Sequence, residues 1–181
     1  MYENDDTSVL FAGKKTKADP ETFEELIYDL ARDAGNVYYQ GRPQPGLDPI
    51  SFRALDEFYA KDRKAVYLLQ QNKLKPIKAD PESFRPLGFG YGLDSERAYW
   101  LDKSLKSEAE TVKPFAEGMA QDSKGVLWEN RRIWNKPLSS TLWGRVDRER
   151  QRAHFWDQES VWVSECHQEA RRVPDADPST Y

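Results

Sequence analysis

The chain has one cysteine, Cys166, two histidines among its 181 residues, and no apolar run near the ~20 residues that cross a bilayer. A lone cysteine excludes an intrachain disulfide and any multi-cysteine zinc site. A large excess of one charge is also missing, since 27 basic against 31 acidic residues leave a net charge of −4. This argues against a general nucleic-acid binder, whose domain is normally basic, and against attraction to an anionic membrane surface. Met1 to Asp6 are unlike a signal peptide. Aliphatic content is modest as well, with 38% hydrophobic residues in total. Aromatics reach 13%, so they must supply much of the core.

What the chain does have is repetition. One copy runs from Tyr59-Ala60-Lys61-Asp62 through Val66-Tyr67-Leu68-Leu69 to Asp80-Pro81-Glu82-Ser83-Phe84. The same three parts recur as Tyr2-Glu3-Asn4-Asp5, Val9-Leu10-Phe11 and Asp19-Pro20-Glu21-Thr22-Phe23, and again as Ala31-Arg32-Asp33, Val37-Tyr38-Tyr39 and Asp48-Pro49-Ile50-Ser51-Phe52. Fainter copies place Asp94 before Ala98-Tyr99-Trp100 and Asp122 before Val126-Leu127-Trp128. A sixth has two registers, the better setting Glu149 in the aspartate place before Ala153-His154-Phe155, the other Asp157 before Val161-Trp162-Val163.

The tyrosine-to-aspartate stretch reads as a strand, the polar residues after the aspartate as a tight turn, and the Val-Tyr segment as the returning strand. The aspartate then sits at the hairpin corner and accepts bonds from turn amides. Gly35-Asn36 and Lys124-Gly125 supply turn chemistry there. Asp-Pro-x-Ser/Thr-Phe reads as the start of a short helix, with aspartate as N-cap and proline in the first helical position. Phe23, Phe52 and Phe84 then point into the core. The expected fold is α+β, mainly β: about six hairpin-plus-short-helix repeats, each marginal alone, stacked into one body. A single domain is expected over 1–173, with clear repeats over 2–103, degenerate ones over 104–173, and a flexible tail over 174–181.

The Tyr-Ala-Lys-Asp…Val-Tyr pattern followed by Asp-Pro-x-Ser-Phe resembles the DKNYY family, bacterial proteins with a repeated aspartate, lysine, asparagine and paired-tyrosine signature. The tyrosine pair stands here as Tyr38-Tyr39, with Leu10-Phe11, Tyr67-Leu68 and Tyr99-Trp100 as its equivalents. The resemblance covers about residues 2–103. It implies a hairpin repeat in a bacterial, often exported, protein, and it carries over no catalytic residue. The expectation is a soluble protein of the cytoplasm or periplasm; the repeat begins at Tyr2, as it would if an export signal had been removed.

No catalytic, metal or cofactor site is expected. Cys166 and His167 are adjacent, so they face opposite sides of a strand or lie about 100° apart on a helix. Gly88-Phe89-Gly90-Tyr91-Gly92 lacks the lysine and helix start of a phosphate loop and reads as a linker or hairpin strand. The periodic aspartates lack the six to eight oxygens that calcium draws from a short loop, so turn capping accounts for them better.

One feature points to a partner. Residues 131–152 hold seven basic residues against two acidic ones, and five of six tryptophans lie between Trp128 and Trp162. Arginine and tryptophan are enriched at interface hot spots, and arginine pairs with carboxylates. Trp128, Arg131, Arg132, Trp134, Trp143, Arg145, Arg148, Arg150 and Arg152 are therefore the expected contacts with a protein of acidic surface. The expected function is a non-enzymatic protein-binding module, in its sharpest form an immunity-type protein that neutralises a cognate bacterial toxin. The alternative is a cell-envelope ligand or glycan binder, or a glycan-acting enzyme, with aromatics as sugar platforms.

Overall fold

The computed structural model of the chain describes residues 1–5, 7–136, 138 and 141–181. Asp6 of the opening segment, and Pro137, Ser139 and Ser140 of the basic stretch, lie outside the described residues.

The described residues form six antiparallel meanders, one per repeat, each with its strands hydrogen-bonded in sequence order. The first holds β1 (Tyr2–Asp5), β2 (Ser8–Phe11) and β3 (Lys14–Lys15). The second holds β4 (Glu24–Glu25), β5 (Leu30–Arg32), β6 (Val37–Tyr39) and β7 (Arg42–Gln44). The third holds β8 (Arg53–Ala54), β9 (Tyr59–Lys61), β10 (Val66–Gln70) and β11 (Lys73–Ile77). The fourth holds β12 (Arg85–Gly88), β13 (Tyr91–Leu93), β14 (Ala98–Trp100) and β15 (Lys103–Ser104). The fifth holds β16 (Lys113–Ala116), β17 (Met119–Asp122), β18 (Gly125–Trp128) and β19 (Arg131–Trp134). The sixth holds β20 (Trp143–Asp147), β21 (Arg152–Trp156), β22 (Val161–Glu165) and β23 (Arg171–Arg172). Gly88 to Gly92 thus belong to a hairpin, with Phe89-Gly90 as its turn at φ 54° and 80°.

The mainly-β expectation holds, but its helical part does not. Among the described residues the only helical segments are two 3-10 turns, Ala109–Thr111 and Pro178–Thr180. The Asp-Pro element caps a single turn: Phe52 N–H donates to the Asp48 carbonyl (3.0 Å), as Phe84 N–H does to Asp80 (3.0 Å). The cap itself forms as read, since Ser51 Oγ donates to Asp48 Oδ2 (2.6 Å) and Glu21 N–H to Asp19 Oδ1 (3.1 Å). The turn stops because the next residues, Glu24-Glu25 and Arg53-Ala54, pair into the following sheet. A cap and a proline nucleate one turn, and without an amphipathic continuation nothing extends it.

The repeated aspartate is the corner of each hairpin. Asp62 Oδ1 accepts from Lys64 N–H (2.7 Å) and Ala65 N–H (2.9 Å), while Oδ2 accepts from Asp48 N–H (3.0 Å) and Tyr67 Oη–H (3.1 Å). Asp33 repeats this with Gly35, Asn36, Asp19 and Tyr38. One side chain therefore closes its own turn and ties down the Asp-Pro turn of the preceding repeat. Tyr99 likewise donates to Asp94 (2.7 Å). Leu127 takes the tyrosine place in the fifth copy, and there Arg132 reaches Asp122 with both guanidinium nitrogens. The basic residue before the aspartate caps the next turn: Lys61 Nζ donates to the Pro81 carbonyl (2.8 Å) and Arg32 to that of Pro49 (3.1 Å). In the sixth copy Asp157 is the corner, accepting from Glu159 N–H (2.9 Å) and Ser160 N–H (2.8 Å). Glu149 lies in the β20–β21 turn instead, so of the two registers the one set by Asp157 is the one formed.

The chain divides into two compact units, Met1–Pro86 and Leu87–Tyr181. Within each, successive sheets share a core, because the central strands are buried on both faces. In the first unit Tyr38 packs with Tyr2, Val9 and Ala31, while its neighbours Val37 and Tyr39 pack with Phe52, Ala60 and Tyr67. In the second, Leu127 joins Tyr91 and Leu93, while Val126 and Trp128 join Phe155 and Trp162. Phe52 and Phe84 are buried as expected, and Phe23 is partly buried against the first core. Among the described residues no helix is long and apolar enough to cross a membrane.

Candidate functional site

The arginine and tryptophan stretch separates into a core set and a surface set. Trp128 is only 1% exposed, stacked on His167 with ring centroids 3.9 Å apart. Trp134 is partly buried against Trp162, at 5.9 Å. Arg132 is tied to the buried Asp122. Trp128 is thus buried, while Trp134 and Arg132 are partly buried in contacts within the second unit. Strand alternation explains the sorting: on β18 and β19, both faces of the central strand meet neighbouring sheets, so large aromatics fill the gaps.

The surface set lies mainly on the sixth sheet. Trp143 is 43% exposed at the start of β20, and Arg145 is exposed two residues on, opposite His154 on β21. Arg148 bridges Glu117 (2.9 Å) and Glu129 (3.3 Å), Arg152 pairs with Glu165 (3.1 Å), and Arg150 stands 3.8 Å from Asp147. Arg145 makes no ion pair among the described residues; nor does Arg131, exposed on β19. Arg145, Arg148, Arg150 and Arg152 line one open concavity of about 510 Å³ together with the acids Glu117, Asp147 and Glu149 and with His154. Burial, followed by the charges of Arg145 and Arg152, holds the His154 imidazole below its ordinary value, so it is neutral at neutral pH.

A neighbouring concavity of about 450 Å³ is lined by Trp143, Trp156, Tyr181, Asp157, Gln158 and Ser179. Tyr181 lies 5.9 Å from the ring of Trp156 and 5.8 Å from His154. Trp156 and Tyr181 were not among the residues expected from sequence, although a signal existed. Asp177-Pro178-Ser179-Thr180-Tyr181 repeats the Asp-Pro-x-Ser/Thr-aromatic element, and Asp177 caps the turn through Ser179 N–H (2.9 Å). Cys166 and His167 stand at φ 50° and 59° in the turn that follows β22, and His167 Nε2 meets Glu129 Oε2 at 3.2 Å.

The chain matches no protein-family model, no curated protein and no solved structure.

Proposed function

We propose that the chain is a protein-binding module that docks an acidic partner on the exposed face of its sixth sheet, and specifically an immunity-type protein that neutralises a cognate bacterial toxin. The observation that carries this reading is the placement of Trp143 and Arg145 two residues apart on β20, one an exposed large aromatic and the other a cation with no ion pair among the described residues. Such a pair gains most from a partner that supplies a carboxylate and excludes water. The DKNYY resemblance supports a bacterial setting. It also supports export to the periplasm, with the cytoplasm as the compartment of a chain that is not exported.

The test is complex formation with the protein encoded by the adjacent reading frame, followed by titration calorimetry. Arg145→Glu is expected to weaken the complex ~30-fold, about 2 kcal/mol, with an unchanged melting temperature because the side chain is exposed and makes no ion pair among the described residues. Arg145 is a cleaner probe than Arg148, whose replacement by glutamate sets a third acid beside Glu117 and Glu129. Unchanged affinity removes this face from the interface, and absence of any complex sinks the toxin reading. The three aromatics around Trp143, Trp156 and Tyr181 favour a second reading, a sugar platform. Binding to a glycan array that is lost in Trp143→Ala and kept in Arg145→Glu would put that reading first.

A further inference from the structure

We propose that the first unit carries an oxyanion site, built from Lys14, Lys15 and Arg42, that takes a doubly charged tetrahedral group such as a phosphate or sulfate ester. It uses neither the residues nor the unit of the partner face, so each stands or falls separately.

The site is assembled from three successive repeats. Lys14 and Lys15 form β3, the edge strand of the first sheet, and Arg42 opens β7, the edge strand of the second. Together with Gln40 of the second repeat and Asn72 of the third, they line a concavity of about 390 Å³ in which no lining residue is acidic. That local balance stands against its surroundings, since residues 1–86 hold thirteen basic and fifteen acidic side chains. Among the described residues, the side chains of Lys14, Lys15, Gln40, Arg42 and Asn72 make no hydrogen bond or ion pair. Other cations of this unit do find partners: Arg32 holds Glu24 (2.6 Å), Arg63 holds Asp48 (3.1 Å), and Lys61 caps the Pro81 carbonyl.

Lysine on an edge strand guards against edge-to-edge pairing. That role calls for one cation per edge and does not require edges of two sheets to converge on one hollow. The convergence is fixed by packing. Gly41, at φ 72°, lies so close to the first sheet that a Cβ there would sit 2.7 Å from the Phe11 Cβ. Its N–H donates to the Tyr2 hydroxyl (2.9 Å), which pins the turn that delivers Arg42. Arg42 supplies a guanidinium fork; Lys14 and Lys15 leave opposite faces of β3, and their long stems can bring both ammonium groups over the mouth of the hollow, with the Gln40 and Asn72 amides as neutral donors. Three cations without a counter-charge match a dianion better than a single carboxylate.

The experiment is amide NMR on the full chain at constant ionic strength, with inorganic phosphate, inorganic sulfate and chloride titrated in turn. Saturable shifts at Gly13, Gly41 and Asn72 with phosphate or sulfate at low millimolar concentration, and none with chloride, are the expected result. Shifts with phosphate alone would assign a phosphate ester, and shifts with sulfate alone a sulfate ester. Lys14→Gln with Arg42→Gln should weaken that binding at least tenfold, while Lys73→Gln, exposed but outside the hollow, leaves it unchanged. The proposal is overturned if neither oxyanion saturates, if chloride gives the same shifts, or if Lys73→Gln weakens binding as much. The wild-type titration decides the matter even where a variant fails to fold.

Discussion

Gly125→Ala is expected to cost the second unit about 3 kcal/mol or more, the largest loss from adding one methyl group anywhere in the chain. Gly125 stands at φ 146°, where a side chain is strained whatever the space around it. The space is also taken: a Cβ would lie 1.8 Å from the Trp134 carbonyl oxygen and 3.1 Å from the Lys136 nitrogen. Both are backbone atoms, so no rotamer change relieves the clash. The position matters because two devices meet there. Gly125 N–H is one of the donors that close the Asp122 corner (2.9 Å), and the β18–β19 register slips at the next residue, from Val126 opposite Trp134 to Leu127 opposite Arg132. Relief would need β19 to move, taking Arg132 off Asp122 and Ile133 out of the core. Denaturant unfolding measures the loss; a change below about 1 kcal/mol would mean that β19 yields freely.

Asp62→Ala is expected to destabilise the first unit by about 3–5 kcal/mol. Asp62 is 3% exposed and its carboxylate accepts four hydrogen bonds, so its removal orphans the amides of Lys64, Ala65 and Asp48 and the Tyr67 hydroxyl. Each buried donor left without an acceptor costs ~1–3 kcal/mol, and the two turn amides recover part of that from water because the corner lies near the surface. Tyr67→Phe should cost less, about 1 kcal/mol, since it removes one donor and leaves three. Thermal unfolding of the pair separates the corner from a merely buried charge. Equal losses in both variants would locate the stabilisation in the tyrosine rather than in the turn.

The hairpin corners were legible in the sequence because their chemistry is local: an aspartate, its turn amides and a valine four residues on lie within one short window. The Asp-Pro cap was equally legible, yet it was extended too far. Start signals for one turn and for a whole helix are the same residues, and only the pairing of Arg53-Ala54 with the next sheet decides between them. The outer strands were missed for two reasons. Lys73-Leu74-Lys75-Pro76-Ile77 carries a proline and polar alternation, which suits an edge strand but reads as a loop, and the lead-in strands of the second and third sheets are two residues long. Register in the sixth copy stayed open between Glu149 and Asp157 because both match by spacing, whereas a corner needs the short carboxylate that Asp157 brings within reach of the amides two and three residues on. Composition alone did not separate Trp128 from Trp143. Both are tryptophans in a basic stretch, and only the stacking of sheets buries one and exposes the other.

That same stacking gives the periodic aspartates their meaning as joints of the scaffold. Their titration is the most direct test. Burial pushes the carboxyls of Asp33 and Asp62 up, but the backbone and tyrosine hydrogen bonds outweigh it and leave both below the ordinary aspartate value. Burial likewise opposes, and the Arg132 hydrogen bonds overcome, in Asp122, which also lies low. A carboxyl whose value is lower folded than unfolded contributes stability that is present above the unfolded value and is lost as pH falls through the folded one. The measurement is carbon NMR of the aspartate carboxyls from neutral pH down, with unfolding followed in parallel and calcium added in a second series. Asp33, Asp62 and Asp122 should titrate below the ordinary aspartate range, stability should fall as they do, and calcium should change neither. Carboxyls that titrate at or above the ordinary value, or that shift on addition of calcium, would contradict the scaffold role.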